Sequence, residues 1–139
     1  MLDLFLDLVI WLVDLGASSP RRLRRALAKA DAAGEPLVFD GAVSGDADYC
    51  HEDPGVLELD GGTLTWRPGA EREDVTAIPV DRLFARELGV RRRRAQVVCS
   101  DGGRQVTITC PRYVVGYLAR VVPGLSALLD IDGERLRLR

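Results

Sequence analysis

A chain of 139 residues has the length of one ordinary domain, enough to bury about two-thirds of the surface its unfolded form exposes. Its apolar fraction of 47% is typical of a folded protein, and a formal net charge of −2 supplies no overall pull toward nucleic acid or anionic lipid. Three cysteines, an odd number with no visible disulfide framework, make a reducing cytoplasm the expected setting. Arginine supplies eighteen of the nineteen basic residues, a bias better explained by a GC-rich genome than by phosphate recognition.

Leu2 to Leu15 is apolar apart from Asp3, Asp7 and Asp14. At helical spacing these three acids fall within about 40° of one another, so the segment reads as a helix with one acidic stripe and a wide apolar surface. About 14 residues are too few to span a bilayer, and Met1-Leu2-Asp3 lacks the basic start of a signal peptide. Two readings stay open for this helix. It packs on its own fold or on a dimer mate, or it lies in a membrane interface beside Arg21-Arg22-Leu23-Arg24-Arg25. Leu4, Phe5, Leu8, Trp11 and Leu12 are the residues expected to make that contact.

Ser18 or Ser19 as cap, Pro20 in the first turn and a stripe of Leu23, Ala26, Leu27 and Ala30 predict a second helix, ended by Ala33-Gly34-Glu35-Pro36. Residues 1–34 therefore form a helical extension of two helices. A sheet domain with a capping helix at 111–122 is expected over 35–139. Leu37 to Val43 predicts a strand, and Ser44 to Pro54 a polar loop. Val56 to Asp60 and Thr63 to Arg67 alternate on either side of Gly61-Gly62, which predicts a hairpin with Leu59 opposite Leu64 and Leu57 opposite Trp66. Asp74 to Val80 predicts a strand whose Pro79 marks an edge or a bulge. Asp81 to Val90 reads equally as helix or strand. Gln96 to Cys110 predicts a hairpin around Ser100-Asp101-Gly102-Gly103, and Pro111 opens a helix with a Val114, Leu118, Val121 stripe. From Leu128 onward, an Asp-Gly turn signal and strict alternation suggest a last strand.

Four features bear on chemistry. The loop Asp46 to Asp53 gathers acids beside Cys50 and the single histidine, His51. Cys50 and His51 stand where a calcium loop needs an oxygen ligand and a glycine. A zinc site would want further Cys/His pairs, and no third group orients a Cys–His nucleophile. A solvated loop is the expectation there, with a small enzyme or metal-binding protein using Cys50 and His51 as the alternative. Alternation places Cys99 and Cys110 on the apolar face with Val97, Val106 and Ile108, about four residues apart along the ladder and beyond disulfide reach. They are expected to fill core space. Arg91-Arg92-Arg93-Arg94, just before a strand, either holds an anionic or acidic partner or is a solvated run answered by Glu71, Glu73, Asp74 and Glu87. With 6% aromatic residues and no stacking pattern beside the arginines, nucleic acid is not an expected partner. Trp66 is expected in the core, where its indole N–H needs an acceptor.

The segments Gly55-Val56-Leu57-Glu58-Leu59, Leu64-Thr65-Trp66-Arg67-Pro68 and Ile78-Pro79-Val80-Asp81-Arg82-Leu83, followed by the 96–110 hairpin and the helix from Pro111, resemble the bacterial pleckstrin-homology-like (PH/GRAM-type) domains. The layout is also similar to small actinobacterial proteins of unknown function that place an apolar segment before such a domain. The match spans about half the chain. The resemblance implies a bent antiparallel barrel or sandwich closed by a helix, with adaptor and membrane-peripheral roles. Members that bind phosphoinositides carry basic residues around the first hairpin turn. Asp60-Gly61-Gly62-Thr63 stands there, a departure that counts against inositol-phosphate binding.

The expected fold is thus α+β: a small antiparallel sheet or partly closed barrel, capped by a C-terminal helix and preceded by a helical extension. The expected function is a non-enzymatic interaction or adaptor module, without cofactor or metal, in the cytoplasm. Its partner is another protein, a dimer mate or, through residues 2–15, the inner membrane face.

Overall fold

The computed structural model describes residues 20–69 and 74–129. The apolar helix expected at residues 2–15, with Leu4, Phe5, Leu8, Trp11 and Leu12, lies outside them, as do Glu71, Glu73 and the alternating stretch beyond Asp130.

Helix α1 runs from Pro20 to Ala32. It buries Leu23, Leu27 and Ala30, the stripe its spacing dictates, and leaves Arg21, Arg24, Arg25 and Ala28 on the opposite side. The helix ends in a Schellman turn. Gly34 adopts a positive φ of 70° while the Glu35 N–H donates to the Ala30 carbonyl, as the Gly-Glu-Pro sequence requires.

Seven strands follow: β1 (Leu37–Gly45), β2 (Gly55–Asp60), β3 (Thr63–Arg67), β4 (Thr76–Ile78), β5 (Phe84–Arg91), β6 (Arg94–Asp101) and β7 (Arg104–Pro111). They form one antiparallel sheet in the order β4-β3-β2-β1-β7-β6-β5. The sheet stays open, with β4 and β5 at its edges. Strand β1 joins the two halves. Its residues 37–41 pair with β2, and its residues 42–45 pair with β7. The handover falls at Gly41, where an added Cβ would run into the Thr109 carbonyl oxygen and Leu57 Cδ1. Only a residue without a side chain lets both neighbouring strands approach that closely.

The first hairpin has the register its alternation predicts, with Leu59 opposite Leu64 and Leu57 opposite Trp66. The 96–110 hairpin likewise sets Cys99 opposite Val106 and Val97 opposite Ile108. Its turn residues Gly102 and Gly103 take the positive φ values, 56° and 95°, that a two-residue turn of this hand needs. The stretch from Asp74 yields only the short edge strand β4, because Pro79 has no N–H to extend the ladder. Of the ambiguous segment 81–90, the residues from Phe84 onward resolve as β5, and 81–83 form the turn that leads into it. The alternation of β5 is blurred by a register shift between Ala85 and Glu87 and by its position at a sheet edge.

One expectation near the C-terminus needs correction. Pro111 closes β7 as it leads into helical structure, and that structure is a 3₁₀ turn (Arg112–Val114) continued by the short α2 (Val115–Leu118), not one helix over 111–122. Leu128 and Leu129 are helical, within the turn at 125–129, and the strand expected after the Asp-Gly turn lies outside the described residues.

Both halves of the sheet face one core. Phe39, Leu57, Leu64 and Trp66 from one half meet Val97, Cys99, Val106, Ile108 and Cys110 from the other, covered by Leu23 and Leu27 of α1 and by Val115, Leu118 and Leu125. Burying each large side chain contributes about 1.5–3 kcal/mol. The helix α1 is therefore part of the same core as the sheet.

Candidate functional site

Arg91 to Arg94 form the tip of the β5–β6 hairpin, with Arg91 paired to Arg94 and a two-residue turn at Arg92-Arg93. This corrects the expected placement in a loop before a strand. Arg92 holds a φ of 58°, a left-handed conformation that glycine or asparagine adopts more cheaply than a long side chain does. The Arg93 carbonyl accepts the Arg112 N–H at 2.9 Å, which ties the tip to the chain leaving β7. Arg94 donates through Nη1 to Asp40 Oδ2 at 2.7 Å. Asp40 is the one acid paired with the run among the described residues; Asp74 and Glu87 form no ion pair with it. Arg91, Arg92 and Arg93 are exposed. A groove of about 840 Å³ opens beside them over Gly89, Val90, Gln96 and Thr109.

Tyr113 stands just behind this tip. Burial pushes its phenol up to about 12, reinforced by Asp40 and opposed by the positive charges of Arg94, Arg24 and Arg93. The hairpin tip, the exposed side of α1 and the turn after β7 thus share one basic end of the molecule. The opposite end is different. There the β6–β7 turn and the loop after β1 carry acids paired with isolated arginines: Asp101 with Arg82 at 3.2 Å and Asp48 with Arg104 at 3.7 Å. Asp101 also accepts the Tyr49 hydroxyl at 2.6 Å.

The Cys50–His51 loop lies toward that second end, and it is only partly the solvated loop its composition suggests. Ala47 is buried, and Tyr49, Cys50 and His51 are half-buried, while Glu52, Asp53 and Pro54 are exposed. The His51 ring stacks on Trp66 with centroids 3.9 Å apart and planes 11° from parallel. Its Nε2 lies 3.2 Å from Thr76 Oγ1, and its backbone N–H donates to the Val43 carbonyl. Burial raises the Cys50 thiol, which makes a thiolate less available. The pair is thus built into packing contacts, and nothing orients His51 toward Cys50. Among the described residues no group of three or more His, Cys, Asp or Glu side chains could hold a metal ion.

Cys99 and Cys110 are buried free thiols, pushed by burial up to about 11 and about 12. Trp66 is in the core as expected, but its indole Nε1 finds no acceptor among the described residues. Arg67, 4% exposed, is the buried charge that alternation alone did not flag; it reaches Glu58 at 3.4 Å and donates through Nε to the Gly69 carbonyl. The convergence of Arg24, Tyr113 and Asp40 on the arginine tip was also missed. The i, i+3, i+4 spacing of Arg21, Arg24 and Arg25 was its one visible signal, and nothing in the sequence pairs that face with residues some ninety positions later.

No protein-family model matches this chain, and no curated protein matches it in sequence. No helix among the described residues is long and apolar enough to cross a membrane. What the fold and this site define is an open, seven-stranded antiparallel sheet with flanking helices and a basic end built around an arginine hairpin tip.

Proposed function

We propose that this protein is a non-enzymatic interaction module of the pleckstrin-homology-like kind, acting in the cytoplasm and docking an acidic protein surface on its arginine tip. One observation carries this reading. Arg91, Arg92 and Arg93 are exposed without an acid partner among the described residues, on a turn anchored by the Arg112 N–H and by the Arg94–Asp40 pair. Guanidinium groups held on a short, anchored turn lose less entropy on binding a carboxylate than freely moving ones. An arginine at a left-handed φ adds to the argument, since such strain often accompanies a binding role.

Kinship with pleckstrin-homology-like domains is supported by the strand order, by the bend where β1 passes from β2 to β7, and by the helical structure that follows the last strand. The packing of His51 against Trp66 favours a binding role over an enzyme built on Cys50 and His51. A membrane-peripheral role is the second reading. It rests on the apolar sequence at residues 2–15, which runs directly into the arginines of α1.

In-cell crosslinking of the full chain, combined with separation of membrane and soluble pools, tests both readings. A crosslinked species that disappears in the Arg91→Gln, Arg92→Gln, Arg93→Gln variant supports docking at the tip. Arg94 is left in place so that Asp40 keeps its partner. An unchanged crosslinking pattern would return the arginines to a solvated surface. Recovery of the protein in the membrane pool, lost when residues 1–17 are deleted, would favour the peripheral role.

A further inference from the structure

A second groove, of about 690 Å³, lies between the exposed side of α1 and the helical turn after β7. Arg21, Arg24 and Arg25 line one wall; Tyr113, Tyr117 and Arg120 line the other. Three features distinguish it from an ordinary solvated face.

The first is unanswered charge. At i, i+3 and i+4 the three α1 arginines share one helix face and repel one another. None of the three forms an ion pair among the described residues. Arg120 is clamped in place by Asp31, with Nη1–Oδ1 at 2.7 Å and Nη2–Oδ2 at 3.1 Å, and its guanidinium lies 5.0 Å from the centre of the Tyr117 ring. Asp31 neutralises one charge and leaves a surplus of three. The chain as a whole is acidic, so this is a local concentration and not a reflection of net charge.

The second is an open floor. Ala28 and Gly116 leave the groove unfilled, and a Cβ added at Gly116 would meet nothing within 4 Å. The third is donor chemistry. Tyr113 is half-buried, its hydroxyl makes no hydrogen bond among the described residues, and its phenol is a neutral O–H donor at pH 7, as any tyrosine is. The groove therefore offers guanidinium forks and O–H donors, and the two acids beside it are already engaged, Asp31 by Arg120 and Asp40 by Arg94.

The geometry points to a binding site in this groove for a ligand carrying two or more phosphate groups. Arginine forks and neutral hydroxyl donors match phosphate oxygens, and the volume falls in the range of small-molecule sites, well above what one isolated phosphate fills. Along α1, Arg21 and Arg25 are separated by about 6 Å of helix rise, with Arg120 across from them, so the positive charge is spread over more than one phosphate. The arginine bias of the sequence carries no weight here; the placement does. Phosphates of this kind occur on soluble polyphosphate esters and, as a clustered array, on lipid headgroups. The groove lies at the same basic end as the arginine tip but shares no lining residue with the groove there, so each is tested by its own substitutions.

Titration of the full chain with tripolyphosphate, and separately with phosphatidylcholine vesicles with and without phosphatidylglycerol, tests the assignment. Saturable binding is expected to at least one probe. It should weaken about tenfold or more in Arg24→Gln, Arg25→Gln, whose side chains are exposed and whose loss leaves the core intact. Gly116→Leu should fill the groove and weaken binding with no change of charge, and its melting curve shows whether the fold is retained. The Arg91→Gln, Arg92→Gln, Arg93→Gln variant should bind nearly as the parent does. Tripolyphosphate binding that vesicles do not match assigns a soluble ligand, whereas binding to phosphatidylglycerol vesicles alone assigns the headgroup. No saturable binding to either probe, or binding unaltered in the α1 double variant, would overturn the proposal.

Discussion

His51 illustrates how one side chain turns a polar loop into part of the structure. Its imidazole covers a face of Trp66 while a ring nitrogen meets the Thr76 hydroxyl, so the loop after β1 is pinned to β3 and β4. Stacked ring pairs contribute about 0.5–1.5 kcal/mol beyond the area they bury. His51→Ala should therefore cost about 1–2 kcal/mol in urea unfolding, and His51→Phe, which keeps the stack but loses the contact to Thr76, should recover most of it. A loss below about 0.3 kcal/mol for the alanine variant would mean that the loop is solvated after all. The indole N–H of Trp66, without an acceptor among the described residues, fits this picture: the stack with His51 helps place the ring where no hydrogen bond does.

At the scale of elements, β1 decides the architecture. A strand that pairs with β2 over one half and with β7 over the other must bend between them, and the bend at Gly41 leaves no room for a side chain. Gly41→Ala should destabilise by about 1–3 kcal/mol in denaturant, because the Thr109 carbonyl and Leu57 would have to move apart inside a close-packed core. A variant as stable as its parent would show that the two halves of the sheet can slide at this point. The β5–β6 hairpin is held differently. Its tip is fixed from outside, by Arg112 and Asp40, which lets its turn contain arginines where glycine would be easier.

Over the whole molecule, charge is sorted along the sheet, with the arginine tip and α1 at one end and the Asp101 turn at the other. Two clasps depend on ionised carboxylates. Asp31 sits below the usual carboxylate range because Arg120 donates hydrogen bonds to it, and Asp101 does so because Tyr49 donates to it and Arg82 and Arg104 add positive charge. A carboxyl depressed in the folded state contributes stability that is present above its ordinary pKa, 3.8, and is lost as pH falls through the lower folded value. Thermal melts of the parent should therefore fall as the pH drops below about 4, and those of Asp31→Asn, Asp101→Asn should fall less over that range. Parallel curves for the two proteins would show that these clasps contribute nothing to acid sensitivity.

Local pattern determined a good deal of this fold. Period-2 alternation around Gly61-Gly62 and Gly102-Gly103 set two hairpins in the register observed, and the apolar stripe of α1 marked its buried side, because each is decided by neighbours within a few residues. The same spacing placed Cys99 and Cys110 in the core. Only the tertiary structure decided the rest. Residues 84–90 became a strand because β6 was available to pair with them, and Pro111 closed a strand because β7 continued along Arg94. His51 left the solvent because Trp66, fifteen residues later, offered it a ring. The basic groove joins α1 to residues some ninety positions away, and a contact of that span is set by how the sheet folds over its core, which no local spacing encodes.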